Sequence, residues 1–103
     1  MILIQFQHDK SGKLVAFTVK NHGDSHVCAA VSFLVQNTIN SIEALTDEDF
    51  DCEYATEGGY LTYATCGVRG DKAGLLLDAM ELGLHAAAEI KRGEIEIKKI
   101  EQI

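Results

Sequence analysis

Between Val27 and Leu45 the apolar residues recur at steps of three and four: Val27, Val31, Leu34, Val35, Thr38, Ile39, Ile42 and Leu45. That spacing puts them on one face of a single long helix, and the face must be covered by something else in the fold. The helix is predicted to start near Asp24 or Ser25, either of which can cap its first N–H groups. It ends at Thr46-Asp47-Glu48-Asp49, where acidic side chains disfavour a helix C-terminus.

What lies on either side has a different period. Residues 1–8 alternate, with Ile2, Ile4 and Phe6 on one face of a predicted strand. Asp9-Lys10-Ser11-Gly12 has turn chemistry, and Lys13 to Lys20 reads as a second strand. Folded about that turn, Ile2, Ile4 and Phe6 stand opposite Val19, Phe17 and Val15, and both apolar sets share a face. After the helix, strands are predicted from Phe50 to about Thr56 and from Tyr60 to about Cys66. Gly58-Gly59 joins them as a two-residue hairpin. This register sets Cys52 opposite Thr65 and Tyr54 opposite Tyr63, with Cys52 and Cys66 on opposite faces, so these two should not form a disulfide.

Gly70-Asp71 opens a second helix, with Asp71 as N-cap and Leu76, Leu77, Met80, Leu84, Ala87 and Ala88 as the buried stripe. Lys91 and Arg92 suit its last turn and Gly93 the C′ position. Glu94 to Ile100 is a final strand. The order β-β-α-β-β-α-β, with tight hairpins and no strict βαβ alternation, predicts a two-layer α+β fold. An antiparallel or mixed sheet carries both helices on one face. With no linker or repeat, residues 1–103 read as one domain. The other sheet face, with Leu3, Leu14, Ala16, Tyr60, Thr62 and Ala64, is apolar enough to point to a partner subunit.

Bulk properties exclude several function classes. The net charge of -7 is opposed to direct nucleic-acid binding, which needs Lys and Arg to displace counterions. No apolar run approaches the ~20 residues of a membrane helix, and the N-terminus lacks a signal peptide's basic region, so a cytoplasmic location is expected. The cysteines, 28, 52 and 66, show neither a CxxC pair nor a zinc spacing, and an odd number suits reduced thiols rather than a disulfide framework. No cofactor motif is present; Gly23 by itself is not a phosphate-binding loop.

The chemistry concentrates in Asn21-His22-Gly23-Asp24-Ser25-His26-Val27-Cys28-Ala29-Ala30-Val31-Ser32. Cys28 falls in the first turn of the helix, where unpaired N–H groups and the positive helix end favour thiolate. The same position suits a small buried residue equally well in composition. His22, at the end of the second strand, is the best-placed base, because Gly23 lets the chain turn back towards the helix start. It also reads as an ordinary loop histidine. His26, two positions before Cys28, points about 200° away around the helix. His8 lies at the far end of the first hairpin, and His85 on the flank of helix two. Ser32, one turn after Cys28, can hydrogen-bond and position the thiol or bond the carbonyl four residues back. Asp24 and Ser25 cap the helix.

These residues resemble the ribosomal-processing cysteine proteases (Prp). That family has a Gly-His-Ala step after the second strand, a loop, and then Gly-x-Asp-x-Val-Cys-Ala-Ala-Val-Ser opening the first helix. His22 matches the family histidine. Gly23, Val27, Cys28, Ala29, Ala30, Val31 and Ser32 match the second block. The length, the element order and the glycine hairpin also fit, so the likeness spans the chain. It implies a homodimeric thiol peptidase that removes the N-terminal extension of a large-subunit ribosomal protein. Cys28 would be the nucleophile, His22 the general base and acid, and Ser32 a supporting residue, with Asn21 and Gly23 in the substrate loop. Two departures stand out: Ser25 replaces the family aspartate, with Asp24 one place earlier, and the connection from histidine to cysteine is shorter. They leave a rival reading, a non-catalytic ribosome-assembly or protein-interaction module on the same fold.

Overall fold

The computed structural model of the chain describes residues 1–20, 25–55 and 59–100. Its elements are β1 (Ile2–His8), β2 (Leu14–Lys20), α1 (Ser25–Leu45), β3 (Phe50–Tyr54), β4 (Tyr60–Thr65), α2 (Asp71–Ile90) and β5 (Ile95–Ile100). The five strands form one mixed sheet in the order β3-β4-β2-β1-β5. Among these strands the β1–β5 pair is parallel and the other pairs are antiparallel; α2 carries the chain from β4 across the sheet to β5, beside β1. This is the α+β architecture that the residue periods predict.

Both hairpins are displaced from the simplest turn-centred register, each by two residues. In the first, Ile4 faces Val19 and Phe6 faces Phe17. The Asp9 carboxylate is the cause: its Oδ1 accepts from the Ser11 N–H, the Ser11 hydroxyl and the Lys13 N–H at 2.9, 2.8 and 3.0 Å. Gly12 at φ +86° completes a connection that runs from Asp9 to Lys13. A two-residue slide keeps side-chain parity, so the predicted apolar face is preserved. Gln7 pairs with Ala16 but His8 with Leu14, which leaves Val15 as the extra residue of a bulge. The bulge turns Leu14 into the core, where it is 0 % exposed, and not onto the outer face that strict alternation predicts. The outer face is correspondingly less apolar.

In the second hairpin Cys52 faces Tyr63 and Tyr54 faces Leu61. The Ala55 N–H donates to the Tyr60 carbonyl, and Gly59 takes φ +84°. Gly58, the other residue of the expected two-residue turn, lies outside the described residues. Cys52 and Cys66 are not disulfide-bonded, as their opposite faces require.

The core lies between one sheet face and the two helices. Ile2, Ile4, Phe6, Phe17, Leu61 and Tyr63 meet Val27, Val31, Val35 and Ile42 of α1 and Ala73, Leu77, Met80 and Leu84 of α2. Each large side chain so buried stabilises the fold by about 1.5–3 kcal/mol. Leu45 is 69 % exposed, so the α1 stripe ends a turn earlier than its sequence pattern. Asp71 is the first residue of α2 and not its cap. Gly70 holds the N-cap position, and its N–H donates to Glu48 Oε1 at 3.0 Å. Glu48 Oε2 accepts from the Thr65 hydroxyl at 3.1 Å, so one carboxylate ties the end of β4 to the start of α2.

Candidate active site

Because α1 begins at Ser25, Cys28 is its fourth residue, at the end of the first turn and near the positive end of the helix dipole. Val27 and Val31 on either side are buried and fix the rotation of the helix. Cys28 is thereby held half-buried on the flank of α1 that faces the β3–β4 hairpin. Ser32 and Gln36 follow at successive turns on that flank, both exposed.

A small cavity of about 50 Å³ is lined by Cys28, Ser32, Val31, Ile2, Val19 and Gly59. It shares Ser32, Val31, Val19 and Gly59 with a larger one of about 140 Å³, whose wall continues through Val35, Gln36, Leu61, Tyr60, Ala55 and Tyr54. Together they form one groove between α1 and the β3–β4 hairpin, with the Cys28 thiol at one end and the Tyr54 ring at the other. The floor is apolar, Val19, Val31, Val35 and Leu61, and the polar groups of Ser32 and Gln36 stand on one rim. Such a groove suits a peptide segment that buries apolar side chains and leaves its backbone near polar partners.

The two other cysteines are unsuited to nucleophilic chemistry. Cys52 is part of the packed face opposite Tyr63, and burial pushes its thiol above the ordinary value. Cys66 donates to Asp51 Oδ2 at 3.5 Å. Its thiol is pushed up by desolvation and by the Asp51 carboxylate, which accepts the proton and repels the thiolate.

Of the residues singled out in the sequence, the fold brings Cys28 and Ser32 to one groove. Asn21, His22, Gly23 and Asp24 lie outside the described residues, and Ser25 is placed as the first residue of α1. His26 is exposed while Cys28 is half-buried, in line with their angular separation. His8 and His85 serve the frame instead, since both approach Glu81 Oε2, at 2.8 and 3.8 Å, and tie the end of β1 to α2. That cluster is a strand's length from Ile2, which lines the Cys28 cavity. Among the described residues no group of His, Cys, Asp and Glu is arranged to hold a metal ion, and no helix is long and apolar enough to cross a membrane. Sequence reasoning passed over Gln36, Tyr54 and Tyr60. Gln36 was within reach of it, standing two turns after Cys28 on a flank that is otherwise polar.

The model of the cysteine protease Prp family matches residues 1–96. The ribosomal processing cysteine protease Prp of Staphylococcus aureus is 28% identical over 95 residues, which cover 86% of this chain and 90% of that protein. A crystal structure of the S. aureus protease with a covalently linked product peptide superimposes at a TM-score of 0.92 and 26% identity, covering 97% of this chain and 100% of the other. The crystal structure of SMU.848 from Streptococcus mutans superimposes at 0.85 with 28% identity, covering 99% of each chain. With its Val-Cys-Ala-Ala-Val-Ser helix start and a groove opening beside the cysteine, the chain belongs to the Prp cysteine protease family.

Proposed function

We propose that this chain is a cytoplasmic cysteine endopeptidase, one domain over residues 1–103, that removes the N-terminal extension of a large-subunit ribosomal protein. The observation that carries the reading is the placement of Cys28 near the head of α1, where it lines one end of a largely apolar groove. The S. aureus relative held a covalently linked product peptide, which accords with a nucleophile at this position.

In the proposed reaction His22 accepts the Cys28 Sγ proton and the sulfur attacks the scissile carbonyl carbon. The developing oxyanion lies against backbone N–H groups at the start of α1, near the positive end of the helix. The tetrahedral adduct collapses to a Cys28 thioester of the extension as the C–N bond breaks, and His22 returns the proton to the leaving amine. Water, activated by His22, then cleaves the thioester and restores the thiol. Ser32, on the rim one turn along, supports the substrate backbone or the thiol. Asp24 and Ser25 hold the helix start, and Asn21 and Gly23 form the short substrate loop. No cofactor takes part. The net charge of -7 favours a basic extension and disfavours direct nucleic-acid contact. By the family likeness, the working unit is a homodimer.

The test is incubation of the purified protein with the extended ribosomal protein from its own genome, followed by N-terminal mass mapping. Cleavage that is lost in both Cys28→Ala and His22→Ala supports the proposal. Ser25 in the aspartate position and the shortened connection favour the rival reading, a binding module without catalysis. Tight binding of the extended protein with no cleavage would establish that rival.

A further inference from the structure

Along the rim of the groove, Cys28, Ser32 and Gln36 stand four residues apart in α1, one ridge with about 6 Å of rise between neighbours. Ser32 and Gln36 are both exposed, and both line the larger cavity. Among the described residues neither side chain is engaged in a hydrogen bond, whereas Thr38 of the same helix spends its hydroxyl on the Leu34 carbonyl at 2.8 Å. The facing wall offers less to a peptide backbone. It presents the Tyr54 and Tyr60 rings with Ala55 and Gly59, and the Ala55 N–H is already given to the Tyr60 carbonyl at 3.0 Å. The floor supplies a second ruler. Val19, Leu61 and Tyr54 are lateral neighbours on three adjacent strands, so from Val19 to Tyr54 it spans two strand spacings. That is about 10 Å, which an extended chain crosses in about three residues.

We infer that Gln36 binds the backbone of the substrate's extension at the fifth residue counted back from the cut. An extended segment directs the N–H and C=O of every second residue to the same side, with a repeat of about 6.6 Å. With the scissile carbonyl at Cys28, the third residue falls at Ser32 and the fifth at Gln36. Over two repeats the peptide outruns the ridge by about 1 Å, and the far position carries the longer and more flexible side chain. A carboxamide has both donor and acceptor, so it can accept from the N–H and donate to the C=O of one residue. Such a clamp fixes the register of the segment without reading a side chain. The reaction sets the direction, because the thioester keeps the extension in the groove after the mature protein has left. The inference rests on the proposed function for one thing only, the position of the cut at Cys28.

The probe is a fluorescein-labelled peptide holding the last six residues of the extension and the first four of the mature protein. It is titrated by anisotropy against the Cys28→Ala protein, which has no thiol at that position to cleave it. Adding Gln36→Leu should raise Kd about tenfold, the loss of two backbone bonds. The Kd of a peptide that keeps only three residues of the extension should not change. Replacing the fifth residue by its α-hydroxy acid removes the N–H. This should weaken binding about fivefold with Gln36 present and not at all in Gln36→Leu, a coupling that a merely structural role would not produce. Circular dichroism and melting temperature should be retained in Gln36→Leu, since Gln36 is exposed. Penalties that multiply, an equal loss on the short peptide, or a long peptide that binds Gln36→Leu as tightly as its parent would overturn the inference. So would a long peptide that does not bind at all. The two readings fail separately: a coupled clamp on a chain that never cuts refutes the peptidase alone, and cleavage without coupling refutes the clamp alone.

Discussion

Replacing Tyr63 by phenylalanine should stabilise this protein. Tyr63 is 1 % exposed in the middle of β4, stacked between Phe17 and Phe50 at centroid distances of 5.3 and 5.0 Å. Its hydroxyl is buried and makes no well-formed hydrogen bond among the described residues; the nearby Thr65 hydroxyl favours the phenolate, an effect smaller than that of burial, while it donates to Glu48 at 3.1 Å. A buried hydroxyl left unpaired costs about 1–3 kcal/mol of lost hydration. Removing the oxygen and keeping the ring stack should therefore gain about 1 kcal/mol. With an unfolding entropy of about 2.1 cal/mol/K per residue, that is roughly 5 °C in melting temperature for a chain of this length. Burial also pushes the phenol above its ordinary value near 10. The sign follows directly: the wild type holds its full stability below about 10 and loses part of it as pH rises through the raised folded value, because the unfolded tyrosine ionises first. The advantage of Tyr63→Phe should widen above pH 10. Thermal and urea unfolding of both proteins at pH 7 and pH 10.5 provide the assay. A variant less stable than wild type by 1 kcal/mol or more at pH 7 would refute the reasoning, since the hydroxyl must then make a bond of its own.

Two further substitutions probe the site and its frame. At Gly74, an added Cβ would lie 2.8 Å from Arg69 Cζ, displacing a guanidinium that donates to Leu14 O, Gly74 O and Asp78 Oδ1. Helix propensity favours alanine there by about 1 kcal/mol, but lost charge-assisted bonds at about 1.5–3 kcal/mol each outweigh it, so Gly74→Ala should lower the melting temperature by roughly 5 °C. Ser32→Phe should fill the groove where its two cavities join, raising KM for an extension peptide by about tenfold, the equivalent of 1.4 kcal/mol, with the melting temperature unchanged. Equal KM values for the two proteins would place the peptide elsewhere.

The parts of the fold legible in the sequence were those set by period. Strand parity and helical stripes survive small slides, so the core face was right even though both hairpins sit two residues from the expected register. What escaped was set by single polar atoms. Three bonds to the Asp9 carboxylate fixed the first connection, the bulge after it took Leu14 inward, and Glu48 made Gly70 the cap of α2 in place of Asp71. For the site, Cys28 and Ser32 were visible as neighbours one helical turn apart. The opposite wall, Tyr54, Tyr60 and Leu61, comes from a hairpin more than twenty residues away in the chain, and only the sheet order β3-β4-β2 brings it under α1.

If Cys28 is the nucleophile, the peptide being cut must acylate it in passing. Rapid-quench intact-mass spectrometry during turnover of an extension-bearing peptide, with fragment mapping, looks for that species itself. An adduct of the extension's mass should form on Cys28, be absent in Cys28→Ala and be slow to form in His22→Ala. An adduct on Cys52 or Cys66, or cleavage that persists in Cys28→Ala, would show that the chemistry lies elsewhere.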